Sequence, residues 1–254
     1  MSKNIIITGA TSGFGEATAQ LLAQSGYHLI LIGRREERLK MLAENLKSYP
    51  IQIHTLVMDV RDRKATESFI HALPDHFKHI DILVNNAGLA LGRDNFNDAN
   101  LDDWDTMVDT NLKGLSYMAH AVSKNMVAHG NGGHIINIGS TAGKDVYIQG
   151  NMYCATKHAV RALSESMRID LLPHGIKVTN IQPGAAYTEF SKVRFKGDET
   201  TANSVYKGIE PLIGDDIANI IKYCIDLPAH VCINELTVTC TQQANSYYMF
   251  RKED

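Results

Sequence analysis

The sequence predicts an α/β fold in three layers: a doubly wound parallel sheet of seven strands with helices on both faces. Seven short runs rich in β-branched and other apolar residues occupy positions 5–8, 28–32, 51–57, 80–84, 134–138, 177–181 and 236–239. Helix-length segments separate them, which spells repeated βαβ units. Most runs are apolar at consecutive positions instead of alternate ones, as strands covered on both faces require.

Composition narrows the function. The 254 residues are 44% apolar, 21% charged and 7% aromatic, so one domain spanning 1–254 has ample material for a core. The formal charge of −3 argues against a nucleic-acid partner, which calls for a basic excess. No run approaches the roughly 18 apolar residues of a membrane span. The apolar run Ile5-Ile6-Ile7 is too short for a signal peptide, so the chain is expected in the cytoplasm. Cys154, Cys224, Cys232 and Cys240 have no CxxC spacing and read as reduced packing residues. Eleven histidines include no HExxH, so no metal is expected.

The first strand leads into Thr8-Gly9-Ala10-Thr11-Ser12-Gly13-Phe14-Gly15 and at once into a helical pattern. Gly9 allows a tight exit from the strand, Gly13 a close backbone approach to a pyrophosphate, and Gly15 close packing of helix on sheet. The free N–H groups and dipole of the helix start complete a dinucleotide cradle in which Thr11, Ser12 and Phe14 also take part. The second strand ends Ile32-Gly33-Arg34-Arg35, without the acidic residue that would receive the ribose hydroxyls of NAD. Guanidinium forks suit a 2′-phosphate, so the expected cofactor is NADP. Asp59-Val60 closes the third strand, where an aspartate can meet the adenine amino group.

Asn85-Asn86-Ala87-Gly88 ends strand four, where small residues let a nicotinamide lie against backbone. Asn111, in a helical stretch that asparagine does not favour, invites a functional reason. Ser140 stands at the carboxyl end of strand five, where ligands sit in open α/β sheets. Tyr153-x3-Lys157 begins the longest helical pattern, so both side chains share one face. A cation one turn away favours the phenolate of a tyrosine whose ordinary pKa of about 10 is otherwise too high for acid–base work near neutrality. Pro183-Gly184 follows strand six, with Thr188 placed to meet the carboxamide. Residues 185–208 form a long polar stretch read as an irregular binding loop or lid. Within it Arg194 is the candidate reader of a substrate carboxylate, although Lys192, Arg194 and Lys196 alternate with Val193 and Phe195 like one solvated face of an extended segment.

Together TGxxxGxG, NNAG, Asn111, Ser140, Tyr153-x3-Lys157 and Pro183-Gly184 resemble, in order and spacing, the short-chain dehydrogenase/reductase family. The resemblance implies a Rossmann fold, an Asn111-Ser140-Tyr153-Lys157 tetrad and a homotetramer. In that tetrad Tyr153 is the acid/base and Ser140 holds the reacting oxygen, while Lys157 binds ribose and Asn111 anchors a relay water. A narrower resemblance, carried by segments such as Gly33-Arg34-Arg35-x-Glu37-Arg38-Leu39 and Val193-Arg194-Phe195-Lys196-Gly197-Asp198, is to NADP-dependent 3-hydroxy acid dehydrogenases. It implies small substrates such as serine, L-allo-threonine and other 3-hydroxy acids, with malonic semialdehyde in the reducing direction. The loop after Pro183-Gly184 is one residue shorter than that subgroup's pattern, and the tail 247–254 departs from it. Reduction of 3-ketoacyl thioesters and oxidation of polyols or sugars are alternatives within the family. A non-catalytic NADP sensor is an alternative outside it, disfavoured because Tyr153 and Lys157 are both kept.

Overall fold

A computed structural model describes residues 2–252. Its sheet runs β3-β2-β1-β4-β5-β6-β7, all strands parallel. The strands are β1 (Asn4–Thr8), β2 (His28–Gly33), β3 (Ile53–Val57), β4 (Ile82–Asn85), β5 (Gly133–Ile138), β6 (Ile176–Pro183) and β7 (Glu235–Val238). The order reverses between β1 and β4, which opens a crevice at their carboxyl ends where open α/β sheets bind ligands. Two of the strands start later than the apolar runs suggest. Ile51 turns back on Tyr49 (N–H to O, 2.8 Å) before β3 begins, and the N–H of Ile80 goes to Asn125 Oδ1 before β4 begins.

Alternate residues of the central strands feed opposite cores, which is why their runs are apolar at consecutive positions. Ile5, Ile7, Leu29 and Leu31 face α1 (Gly13–Gln24), α2 (Glu36–Asn45) and α9 (Gly214–Asp226), meeting Leu22, Leu42 and Ile221. Ile6, Ile30, Leu83 and Ile135 face α3 (Arg63–Ala72) and α5 (Leu115–His129), meeting Phe69, Met118 and Val122. Each such side chain contributes about 1.5–3 kcal/mol by leaving water. Between α4 (Leu101–Val108) and α5 the helix widens into a π segment over Asp109–Gly114, so Asn111 stands in a π bulge and not in regular helix. The long helix α6 is Asn151–Leu171.

The segment 185–208 is less irregular than its polarity suggests. It carries α7 (Glu189–Arg194), capped by Thr188, and α8 (Glu199–Ser204), capped by Asp198. Both caps accept a backbone N–H, of Phe190 and of Thr201, and these local bonds overcome poor apolar patterning. Lys192, Val193 and Arg194 are thus helical and do not alternate across an extended strand. The tail folds back on this segment, with Lys252 N–H donating to Gly208 O at 2.9 Å.

At the amino end of β5, His134 is buried with Nε2 2.8 Å from Thr179 Oγ1. Thr179 spends its only hydrogen on Ile233 O, so His134 must donate from Nε2, and Nδ1 is left without a partner. Protonating Nδ1 would bury an unpaired charge, and desolvation pushes the imidazole pKa down to about 3. Among the described residues no helix is long and apolar enough to cross a membrane.

Candidate active site

A cleft of about 300 Å³ opens at the switch point between β1 and β4. Its floor is the glycine turn. Gly9 and Gly13 adopt φ of +65° and +54°, and a Cβ on Gly15 would sit 2.4 Å from Gly9 O. Ser12 caps α1 without a side-chain bond, so the first N–H groups of the helix remain available to the cleft that Gly13 and Phe14 line. Opposite, Thr8 Oγ1 accepts the N–H groups of both Asn86 and Ala87 at 2.9 Å, and Asn86 Nδ2 returns a bond to Thr8 O at 2.9 Å. These bonds lock the turn after β4 against the turn after β1. The bare, donor-rich channel between them fits a dinucleotide pyrophosphate.

The end of β2 supplies cations. Arg34 is exposed and only loosely paired, 3.8 Å from Asp59. Asp59 lines the cleft with Val60, and its carboxylate is engaged by Arg61 at 2.7 Å. Arg35 is held through Nε and Nη2 to Thr11 at 3.0–3.1 Å, while Nη1 pairs with Glu189 at 2.8 Å. Glu189 also takes Arg38 at 2.6 Å. Despite partial desolvation, hydrogen bonds from both arginines hold its carboxyl below the usual range.

Deeper in the cleft, Ser140 and Tyr153 both line the wall, and Lys157 shares a face of α6 with Tyr153. Lys157 Nζ donates to Ile138 O at 2.8 Å and stands 5.9 Å from the Tyr153 ring centroid. A Cβ on Gly88 would come 3.3 Å from Asn111 Oδ1, so the turn passes tightly over that side chain. Burial pulls the Lys157 pKa down to about 8. Burial drives Tyr153 up, with neighbouring Tyr147 adding to the rise; a hydrogen bond from Ser140 and the charge of Arg194 oppose it. Asn111 stands behind the cleft. Its Oδ1 accepts from Leu89 N–H at 2.8 Å and its Nδ2 donates to Leu89 O at 2.7 Å and to Thr156 Oγ1 at 3.2 Å. The side chain therefore fixes the irregular segment after Gly88.

Thr188 crosses the glycine turn, its Cβ 3.3 Å from where a Gly13 Cβ would lie. Pro183 and Gly184 line the cleft, and Gly184 is pressed against Gln243, whose Oε1 accepts from Ala185 N–H at 2.7 Å. Arg194 reaches in from α7. Its guanidinium is 5.6 Å from the ring centroids of both Tyr147 and Tyr153, with Nε on Gly92 O at 3.3 Å and Nη1 on Tyr147 Oη at 3.1 Å.

The sequence profile of the short chain dehydrogenases matches residues 3–199. The chain belongs to the short-chain dehydrogenase family. Relatives of this short-chain dehydrogenase include sulfoacetaldehyde reductase 2 of Chromohalobacter salexigens, 47% identical over 98% of each chain. The NADP-dependent 3-hydroxy acid dehydrogenase YdfG of Salmonella typhi is 46% identical over 94% of this chain and 96% of its own. Among solved structures, the closed form of a serine dehydrogenase complexed with NADP+ superposes with a TM-score of 0.91 at 44% identity, covering 98% of this chain and 100% of the other.

The cleft of this dehydrogenase gathers most of the residues singled out from sequence. Gly15, Asn111 and Arg194 stand just outside its lining, each bonded or packed against residues that form it. Four neighbours escaped the sequence reading: Arg38, Tyr147, Glu189 and Gln243. Arg38 stands in the first turn of α2, just past Arg34 and Arg35, and that nearness in sequence could have flagged it. The other three are brought in by tertiary folding and carry no local signal. Among the described residues no group of His, Cys, Asp and Glu could hold a metal.

Proposed function

We propose that the chain is an NADP-dependent oxidoreductase that interconverts a small 3-hydroxy acid and the corresponding 3-oxo acid. The observation that carries this reading is Arg194, a cation 5.6 Å from the Tyr153 ring. A substrate that offers its hydroxyl to Tyr153 would present an acidic group to that guanidinium, whose Nη2 is not taken by Gly92 or Tyr147. Serine, L-allo-threonine and malonic semialdehyde have this shape. The same cation suits a sulfonate, the group implied by the name of the Chromohalobacter relative.

Arg34, Arg35, the glycine turn and Thr188 would hold NADP, and Lys157 would hold its nicotinamide ribose. The bound cofactor supplies the hydride acceptor or donor. Tyr153 removes the hydroxyl proton during oxidation and returns it during reduction. Its phenolate must form inside a buried pocket, where desolvation opposes it. Lys157, Arg194 and the Ser140 hydrogen bond act in the other direction, all three favouring the anion. Ser140 also fixes the reacting oxygen, and Asn111 keeps the segment 89–92, whose Gly92 O accepts from Arg194, in place. We further infer a homotetramer in the cytoplasm, supported by the family pattern; light scattering should then give about 112 kDa, four chains of 28.1 kDa.

The test is an NADP-linked activity panel over serine, 3-hydroxy acids, sulfoacetaldehyde, polyols and 3-ketoacyl thioesters. Turnover of the small acids, at kcat/KM above that of every neutral compound, is expected. Turnover confined to polyols or thioesters would overturn the reading, and binding of NADPH without turnover of anything would restore the sensor alternative.

A further inference from the structure

We propose that Glu189 competes with the 2′-phosphate of NADP for Arg35, and that this residue, carried on the substrate-side segment, sets how strongly the chain grips NADP. The inference rests on the reading of NADP as cofactor. Every nitrogen of the Arg35 guanidinium is already engaged, Nε and Nη2 on Thr11 and Nη1 on Glu189. These bonds spend four of the five N–H groups, so a phosphate can take a two-point, charge-assisted grip on Arg35 only by displacing one of these acceptors. Thr11 offers neutral oxygens, whereas Glu189 is the one charged competitor. Its carboxylate is divided between Arg35 and Arg38, at 2.8 and 2.6 Å. It thus occupies two of the cations around the phosphate-reading corner as a stand-in anion.

Arg34 differs: it is exposed, and 3.8 Å from Asp59. It can receive a phosphate without breaking a close pair. The corner therefore holds one ready arginine and one occupied by the chain itself. Glu189 begins α7, the helix that ends in Arg194. The ion pair is consequently a strap from the cofactor corner to the segment over the substrate, drawn across the glycine turn where Thr188 meets Gly13. NAD lacks the phosphate and has nothing with which to displace Glu189, so the residue weakens NADP binding and leaves NAD binding nearly untouched.

Calorimetry with adenosine 2′,5′-bisphosphate and AMP isolates the contact, because the two differ only in the 2′-phosphate and neither reaches Tyr153 or Arg194. Wild type should bind the bisphosphate more tightly. Glu189→Gln and Glu189→Ala should each tighten the bisphosphate about fivefold or more, a fraction of one charge-assisted bond, and change AMP less than about twofold. The side chain is about 40% exposed, so both variants should fold. Equal gains on the two probes would reduce Glu189 to a general background charge and overturn the proposal, as would an unchanged or weakened bisphosphate. A wild type with no preference for the bisphosphate would instead refute the NADP reading, and the proposal would fall with it.

Discussion

Arg194→Met removes a guanidinium while keeping most of its apolar stem. A carboxylate seated about 4 Å from the charge gains about 4 kcal/mol at an effective dielectric of 20, before the desolvation of both partners is subtracted. What remains for a hydrogen bond to a charged group is about 1.5–3 kcal/mol. At tenfold per 1.4 kcal/mol, kcat/KM for a 3-hydroxy acid should fall by roughly 10- to 150-fold, carried mainly by KM. Arg194 also pulls the Tyr153 pKa down from 5.6 Å across the ring. The rising, acid-side limb of the oxidation rate, which follows formation of the phenolate, should therefore move to higher pH for every substrate. For an uncharged alcohol the plateau rate should stay within about threefold, since no bond to an anion is lost. Steady-state kinetics on serine and on a neutral alcohol of similar size, each across pH 7–10, separates these effects. Equal plateau losses on both substrates would refute the argument and reduce Arg194 to a brace between Gly92 and Tyr147.

Tyr153→Phe should lower kcat by 10²–10⁴-fold with NADPH affinity near wild type, measured by fluorescence titration; turnover above about a tenth of wild type would remove Tyr153 from the acid–base role. Lys157→Met should abolish turnover yet stabilise the cofactor-free protein. The folded pKa of about 8 lies below the ordinary 10.5, so the buried cation destabilises by about 3 kcal/mol below pH 8, and the penalty fades as pH rises from 8 to 10.5. Urea unfolding at pH 7 should show the gain. His134 behaves with the same sign at lower pH: its folded pKa of about 3 lies below 6.5, so stability is lost as pH falls from 6.5 toward 3. At pH 4.5 that loss is about 3 kcal/mol, and His134→Gln should remove this part of the acid limb.

The parallel sheet was legible because the central strands serve two cores, leaving runs such as Ile5-Ile6-Ile7 and Leu29-Ile30-Leu31-Ile32 apolar at consecutive positions. The glycine turn and the Tyr153-Lys157 spacing were legible for a different reason, since backbone approach and helical pitch fix them locally. Residues 185–208 misled because α7 and α8 are held by the Thr188 and Asp198 caps and by ion pairs such as Lys192–Glu199, not by an apolar stripe. Glu189 was invisible because its meaning depends on Arg35 and Arg38, some 150 positions away. Tyr147 likewise gains a role only when Arg194 folds onto it. The π segment had one hint, the misplaced Asn111, but no spacing rule announces an extra residue in a helix turn.

That extra residue makes the helix from Leu101 to His129 intolerant of length changes. Met107 on the α4 side packs into the small cluster around Tyr153, whereas Met118, Val122 and Met126 pack into the core against the sheet. The wide turn at Asp109–Gly114 lets two apolar stripes of different phase share one rod. Removing or adding one position there would rotate everything beyond it by about 100° and turn the α5 stripe away from the sheet. Aligned family members should accordingly place their gaps in the stretches around positions 92–99 and 185–208, and leave 101–129 unbroken even where its side chains have changed beyond recognition.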